Sequence, residues 1–364
     1  MVDLSPNIEV VAAKCRASER LTEQDALLLW HEAPLWLLAE LALERKRKVS
    51  GDALFFNRNF HLEPTNICRF RCRFCSYRRA EDSPEAWDLS LPEMVEIVKG
   101  YQGRGVTEVH IVGGVHPRHT FSFFEELVVM VKSLLPEATV KAFTAIELRY
   151  MIESAGLSIE HGLQRLKAAG MESIPGGGAE IFASEIREKI CPEKGSASEW
   201  LEVHDIAHRM GISTNSTMLY GHIESIEHRI DHLQRLRAQQ DKTGGFNAFI
   251  PLKYRCMSNE MSHLGEVSVI EDLRMISISR LFLDNIPHIK AYWVMYGKQI
   301  AELALNFGAD DIDGTISDST KIYSMAGAED SRPVMTIAEI EAMAQRAGFK
   351  VVERDTHYNV IKRY

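Results

Sequence analysis

Residues 60–77 have the sequence FHLEPTNICRFRCRFCSY, in which a strand-like run at 60–67 leads directly into three cysteines. Cys68, Cys72 and Cys75 follow the spacing C-x3-C-x2-C, so three thiolates can reach one compact inorganic centre. Structural zinc usually takes four ligands, and the sequence has no second C-x2-C pair. An iron–sulfur cluster held by three cysteines leaves one iron free for a further ligand. The spacing therefore favours a cluster, with zinc or three unrelated buried cysteines as the alternatives.

Strand-like and helix-like segments alternate along the rest of the chain. After 60–67, short apolar or β-branched runs occur at 107–113, 139–145, 171–176, 212–219, 246–251, 288–294 and 310–316. Amphipathic stretches with helical periodicity separate them, and several end in glycine. This alternation predicts parallel strands joined by right-handed crossovers, and eight such strands close a barrel. We predict an α/β fold, a (β/α)8 TIM-type barrel over residues 56–330.

Two segments flank the predicted barrel. Residues 1–55 form a predicted N-terminal helical extension, in which Ser5, Pro6 and the Thr22–Asp25 pair are helix-start signals. Residues 331–364 are expected to form a helix that ends near Gly348 and an extended segment packed on the barrel. Active sites of such barrels lie at the carboxyl ends of the strands. The residues that follow the eight runs are therefore the candidates for function.

Composition and charge exclude several classes of protein. Hydrophobic residues make up 45% of the 364 residues and charged residues 26%, which excludes disordered, collagen-like and fibrous chains. No apolar stretch reaches the roughly 20 residues that a membrane helix requires, and the start lacks the features of a secretory signal. The net charge is 42 − 51 = −9, which disfavours nucleic-acid binding as the main function. We expect a cytoplasmic protein.

The cysteine motif, with Phe74 directly before its third cysteine and a strand before its first, resembles that of the radical S-adenosylmethionine (SAM) superfamily. The resemblance implies a 4Fe–4S cluster held by Cys68, Cys72 and Cys75, with Phe74 beside the cofactor. It also implies that SAM chelates the open iron and is cleaved by one electron to a 5′-deoxyadenosyl radical. In such enzymes the cofactor carries the difficult chemistry and the protein positions it.

Two glycine-rich segments follow other predicted strands. By the same resemblance, Gly113 and Gly114 in VGGVHP contact the methionyl end of SAM, although Val115 stands where the family often has glutamate. The alternative is a tight turn that needs only one of the two glycines. In PGGGAE, Glu180 resembles the acidic residue that meets the ribose hydroxyls. Alternatively, it lies in the first turn of the next helix.

The resemblance extends to STMLYGHIE (216–224), FNAFIPLKYR (246–255), IPHIKAYWVM (286–295) and DDIDGTISDSTKIYSMAGAE (310–329). These segments are similar to the radical SAM enzymes of the futalosine route to menaquinone and to the deazaflavin-cofactor synthase. The last segment favours the transferase that joins the adenosyl unit to 3-[(1-carboxyvinyl)oxy]benzoate over the cyclase of the same pathway. The implied product is 6-amino-6-deoxyfutalosine, formed with loss of carbon dioxide. SAM is then a consumed co-substrate, and a flavodoxin or ferredoxin is the implied electron donor.

A substrate with two carboxylates requires local cations in a chain of charge −9. We predict Arg255 as the first catalytic candidate, followed by His222 and His116; each has a structural role as its alternative. Further cations near predicted strand ends are Arg118, Lys253 and Lys290. Two other classes of protein remain open: a non-catalytic iron–sulfur electron carrier and a zinc-stabilised interaction barrel.

Overall fold

The computed structural model describes residues 4–317, 319–327 and 332–364. Within these ranges the strands are β1 (Ala53–Asn57), β2 (Asn59–Leu62), β3 (Glu108–Ile111), β4 (Thr139–Ala142), β5 (Met171–Ile174), β6 (Ser213–Tyr220), β7 (Phe246–Lys253), β8 (His288–Ile289), β9 (Asp311–Gly314), β10 (Lys350–Arg354) and β11 (Val360–Arg363). The α-helices are α1 (Pro6–Ala17), α2 (Glu23–Glu32), α3 (Leu35–Ser50), α4 (Leu91–Lys99), α5 (Phe121–Leu134), α6 (Ala145–Ser154), α7 (Ile159–Ala169), α8 (Ser184–Ile190), α9 (Ala197–Arg209), α10 (Ile226–Thr243), α11 (Val269–Phe282), α12 (Trp293–Tyr296), α13 (Lys298–Leu305) and α14 (Ile337–Ala347).

The central sheet is a parallel barrel. Strands β2 to β8 pair in chain order, as right-handed crossovers dictate. Strand β9 completes the ring, because it pairs with β1 and meets β8 through a bridge between Lys290 and Asp311. Only Arg58 separates β1 from β2. Each of the eight predicted runs overlaps a strand, and the predicted barrel fold is confirmed.

Strand β1 was not expected from the sequence. It pairs in parallel with β10, and β11 adds to β10 in antiparallel orientation, so the C-terminal segment extends the sheet beside the barrel. The predicted boundary at residues 55 and 56 falls inside β1, and the boundary at 330 and 331 lies outside the described residues. Helix α14 ends at Gly348, whose φ of +82° favours glycine.

The N-terminal helices cover part of the barrel's outer layer. Helix α2 packs against α10 and α11, and α3 packs against α11. Arg274 on α11 donates hydrogen bonds to the carbonyl oxygens of Leu29, Trp30 and Ala33 at the end of α2. These bonds satisfy carbonyls that a helix end otherwise leaves unpaired. Among the described residues, no helix is both long and apolar enough to cross a bilayer.

Candidate active site

A cavity opens at the carboxyl ends of the barrel strands. The cysteine loop after β2 forms one side of it, and residues on or after the strands β3 to β9 form most of the rest. The sequence-predicted residues that border it are Cys68, Cys72, Phe74, Cys75, Gly113, Gly114, Glu180 and Arg255. Loops that are far apart in sequence thus meet at one place, where barrel active sites lie.

Hydrogen bonds to other loops fix the cysteine loop. The amide of Arg69 donates to the carbonyl of Val115 at 3.0 Å, and the amide of Arg73 donates to the carbonyl of Ile190 at 2.9 Å. The amide of Arg71 donates to the carboxylate of Glu193 at 2.7 Å. The loop is therefore held in place without the help of a metal.

The three thiols fit an iron–sulfur cluster better than zinc. All three are half-buried, border the cavity and are free of disulfides. Tetrahedral zinc with bonds of about 2.3 Å would bring its sulfur ligands within about 3.8 Å of one another. Among the described residues, only Asp88, His116 and His119 form a group of three ligand atoms within 4.8 Å. The cysteine sulfurs are thus spaced too widely for one zinc ion, and a larger cluster suits them.

The two glycines after β3 allow close packing of backbone, a role that the sequence did not reveal. The amide of Gly114 donates to the carbonyl of Thr65 at 2.7 Å. A Cβ atom on Gly114 would overlap the carbonyl group of Ile67, the residue directly before Cys68, and one on Gly113 would lie 2.9 Å from the carbonyl oxygen of Thr65. Both glycines border the cavity and also let two backbone segments touch. A tight turn alone does not explain them.

We expect Gly114→Ala to lower both iron content and SAM affinity, the latter by about tenfold or more, which is at least about 1.4 kcal/mol. The added methyl group must displace backbone that carries Cys68. Iron analysis and calorimetric titration with SAM measure the two effects. Gly100→Ala is the control, because Gly100 ends α4 with right-handed helical dihedrals that alanine adopts readily. Normal iron content and normal SAM binding in Gly114→Ala would contradict this explanation.

Glu180 borders the cavity in an unusual backbone conformation. Its φ is +48°, which is rare for a residue other than glycine and costs conformational energy. Its carboxylate pairs with Lys194 at 2.5 Å, and its carbonyl accepts the amide of Leu219. Helix α8 begins only at Ser184, so the alternative placement of Glu180 in a helix turn is wrong. The Lys194 ammonium also lies 5.3 Å from the centre of the Phe74 ring.

Glu147 is a cavity residue that the sequence reasoning missed. Its carboxylate accepts the amide of Gly113 at 3.0 Å and the amide of Thr144 at 2.7 Å. Burial raises the pKa of this carboxyl to about 7. The T-x-x-E capping signal at residues 144–147, directly after a strand, was available in the sequence. A carboxylate thus stands beside the glycine pair even though position 115 is valine.

Arg255 borders the cavity together with Lys253, which precedes it at the end of β7. The guanidinium of Arg255 donates to the carbonyls of Met295 and Gly327, and its Nε lies 3.2 Å from the Glu266 carboxylate. The structural and the binding interpretations of Arg255 therefore both have support in the structure. Lys253 pairs with Asp272 at 2.9 Å.

The structure corrects two of the three catalytic predictions. Among the described residues that line the cavity, neither His222 nor His116 occurs. The ring nitrogens of His222 lie 3.0 Å from the Glu224 carboxylate and 3.2 Å from the Leu219 carbonyl oxygen, so the side chain anchors its own loop. Lys290 does not line the cavity either, and it pairs with the cavity residue Asp313 at 2.5 Å.

His116 is buried against His119, and the ring centres are 4.3 Å apart. These rings and Asp88 form the compact group of three ligand atoms noted above. However, Nδ1 of His116 accepts the amide hydrogen of Arg118 at 3.1 Å. A neutral imidazole that binds a metal through Nε2 must carry its proton on Nδ1. The Arg118 amide occupies that position, so this group does not fit a metal ion.

Comparison with known proteins agrees with this geometry. The site combines three features of a radical SAM enzyme. They are three cysteines in the loop after an early barrel strand, glycines after the next strand, and an acidic residue further on. Residues 62–236 match the model of the radical SAM superfamily, and residues 243–363 match the CofH/MqnC C-terminal region. The chain belongs to the radical SAM superfamily. It therefore uses a 4Fe–4S cluster and SAM, and requires a reductant and a small-molecule substrate.

Individual relatives show which radical SAM enzymes this chain is similar to. The chain is 40% identical to the aminodeoxyfutalosine synthase of Thermus thermophilus over 98% of this chain and 96% of the relative. For the same enzyme of Streptomyces coelicolor, the identity is 38% over 96% and 93%. A 5-amino-6-(D-ribitylamino)uracil–L-tyrosine 4-hydroxyphenyl transferase of Methanopyrus kandleri is 38% identical over 89% and 88%. Methylornithine synthase shares the fold, with a TM-score of 0.73, 18% identity and coverage of 93% and 95%.

Proposed function

We propose that the protein is an aminodeoxyfutalosine synthase, which converts SAM and 3-[(1-carboxyvinyl)oxy]benzoate into 6-amino-6-deoxyfutalosine, methionine and carbon dioxide. The proposal is carried by identities of 38–40% to two such enzymes over almost the whole chain. The hydroxyphenyl transferase is the alternative, because its identity is similar although it covers less of the chain.

Different residues of the chain would bind the cluster and the different parts of SAM. Cys68, Cys72 and Cys75 would hold the cluster, which when bound supplies the electron that cleaves SAM. Gly113 and Gly114 would present backbone to the methionyl end of SAM, and the Glu180 carboxylate would accept hydrogen bonds from the ribose hydroxyls. The ion pair with Lys194 holds that carboxylate in place. A flavodoxin or ferredoxin is the electron donor that we propose.

Cations at the cavity wall suit a dicarboxylate. Lys253 and Arg255 lie on one strand end, and both approach Glu266, at 3.8 and 3.2 Å. That carboxylate is 25% exposed. A substrate carboxylate in the position of the Glu266 carboxylate would lie between these two cations. Hydrogen bonds to an ionised acceptor are stronger than those between neutral groups.

The test is anaerobic incubation of reconstituted protein with dithionite, SAM and 3-[(1-carboxyvinyl)oxy]benzoate, followed by mass analysis. We expect 6-amino-6-deoxyfutalosine and methionine in equal amounts. A parallel reaction supplies L-tyrosine and 5-amino-6-(D-ribitylamino)uracil in place of the benzoate. Product in the second reaction alone would replace the proposed function by the alternative. If the protein carries its cluster but forms neither product, both functions are refuted.

Arg255→Ala is expected to raise KM for the aromatic substrate about tenfold or more, because a charge-assisted hydrogen bond contributes roughly 1.5–3 kcal/mol. SAM cleavage without substrate should persist, since Arg255 follows β7 and the SAM-binding glycines follow β3, four strands away in the sheet. Product formation and 5′-deoxyadenosine release are measured separately. Arg346→Ala, which breaks an exposed pair with Glu302, serves as control. Equal loss of both activities would make Arg255 structural.

A further inference from the structure

The inner end of the cavity is formed by a polar layer of the barrel. His61 on β2, His110 on β3 and Lys141 on β4 are direct neighbours in the strand register. All three border the cavity, so their side chains point into the barrel. The cysteine loop follows β2, and His61 therefore lies deeper inside than the cluster thiols. Tyr292, after β8, borders the same space.

Several polar atoms of this layer have no partner among the described residues. They are both ring nitrogens of His61, Nε2 of His110 and the hydroxyl of Tyr292. His61 is only 4% exposed and Tyr292 5%, so bulk water does not reach them freely. Buried polar groups without a partner are costly, and they indicate a ligand or ordered water that completes them. Unlike the cations at the cavity wall, none of these groups has an ion-pair partner that a substrate must displace.

The charged groups in the layer and next to it are already neutralised in pairs. Lys141 binds Glu108 at 2.5 Å, and Lys290 binds Asp313 at 2.5 Å. Burial lowers the pKa of His61 to about 4, so the imidazole is neutral near pH 7. The layer therefore offers uncharged N–H and O–H donors above compensated ion pairs. An anion that arrives there meets donors and no net negative charge.

We propose that His61, His110 and Tyr292 receive the ring carboxylate of the aromatic substrate. This inference rests on the proposed function, in which the enolpyruvyl double bond must approach SAM at the cysteine loop. The ring carboxylate lies at the other end of that substrate and is then directed toward the inner layer. The second carboxylate remains near Lys253 and Arg255. The layer thereby determines specificity, because a substrate that lacks the ring carboxylate leaves buried donors unpaired.

The experiment compares 3-[(1-carboxyvinyl)oxy]benzoate with (1-carboxyvinyl)oxybenzene, which lacks only the ring carboxylate. Tyr292→Phe removes a single oxygen, and we expect KM for the benzoate to rise about ten- to hundredfold. KM for the analogue should change less than about twofold, because the analogue has no group to lose. His61→Phe is a second variant, with the same selective effect expected. Thermal melting and the cluster absorbance establish that each variant is folded and loaded.

Tyr296→Phe is the matched control, because its hydroxyl donates to the carbonyl of Pro251 and does not border the cavity. This variant should leave the ratio of the two KM values at the wild-type value. If KM changes equally for the benzoate and the analogue in both Tyr292→Phe and His61→Phe, the subsite is overturned. The proposed function still stands in that case, provided that the wild-type protein forms product from the benzoate. A wild-type protein that forms no product from the benzoate would overturn the proposed function, and the subsite with it.

Discussion

Cys72→Ala is expected to abolish product formation and to reduce bound iron to roughly one-tenth of the wild-type content or less, because two local thiolates remain where three are needed. Cys68→Ala and Cys75→Ala should behave alike, since all three thiols come from one loop and border one cavity. Iron analysis, the visible absorption of the reconstituted protein and the mass-based product assay provide three separate measurements.

The remaining cysteines are the natural controls. Cys15 is buried in α1, Cys191 is buried after α8, and Cys256 lies beside Glu266 with 3.9 Å between sulfur and carboxylate oxygen. Each serine variant exchanges one sulfur for the smaller oxygen atom, so we expect normal iron content and at most modest destabilisation. Iron retained in Cys72→Ala, or lost in Cys256→Ser, would mean that the ligand set is different.

The barrel should survive the loss of the cluster. The hydrogen bonds that hold the cysteine loop come from Val115, Ile190 and Glu193, and none depends on a thiolate. We therefore expect Cys72→Ala to retain the circular dichroism of the wild type. This outcome separates loss of the cofactor from loss of the fold.

The features that the sequence predicted well are local. The strand runs alternate over a few residues, and the cysteine motif lies within eight positions, so neither depends on distant partners. Strand β1 was missed because it is stabilised by β10, about 300 residues further along the chain. Its pairing partner is visible only in three dimensions.

Side-chain direction in loops was the main source of error. His116 and His222 both follow strands, but their side chains pair with Asp88 and Glu224 and do not line the cavity. Conversely, Lys194 reaches the cavity from a short 3-10 turn whose sequence gives no functional signal. For Gly114, the sequence indicated only a contact with a ligand. The contact of its backbone with the cysteine loop was missed, because that contact involves Ile67, 47 positions earlier.

Lys141→Met is expected to reduce the free energy of unfolding by about 3–5 kcal/mol, because it leaves the carboxylate of Glu108 buried without its cation. Both side chains are almost fully buried, at 3% and 1% exposure, and the two atoms are 2.5 Å apart. Burial alone would raise the pKa of Glu108, but the ammonium of Lys141 holds it below its usual range. Urea denaturation of the variant and wild type measures the difference.

Restoring charge balance tests the physical reason for that loss. In Lys141→Met combined with Glu108→Gln, no unpaired charge remains, and the hydroxyl of Thr356, which donates to Glu108 at 2.6 Å, keeps an acceptor. We therefore expect the double variant to be more stable than Lys141→Met alone, a coupling that independent sites would not show. Glu302→Gln breaks the exposed pair with Arg346 and should cost no more than about 1 kcal/mol. If the double variant is as unstable as Lys141→Met, lost packing of the lysine side chain, and not an unpaired carboxylate, limits the stability of the barrel interior.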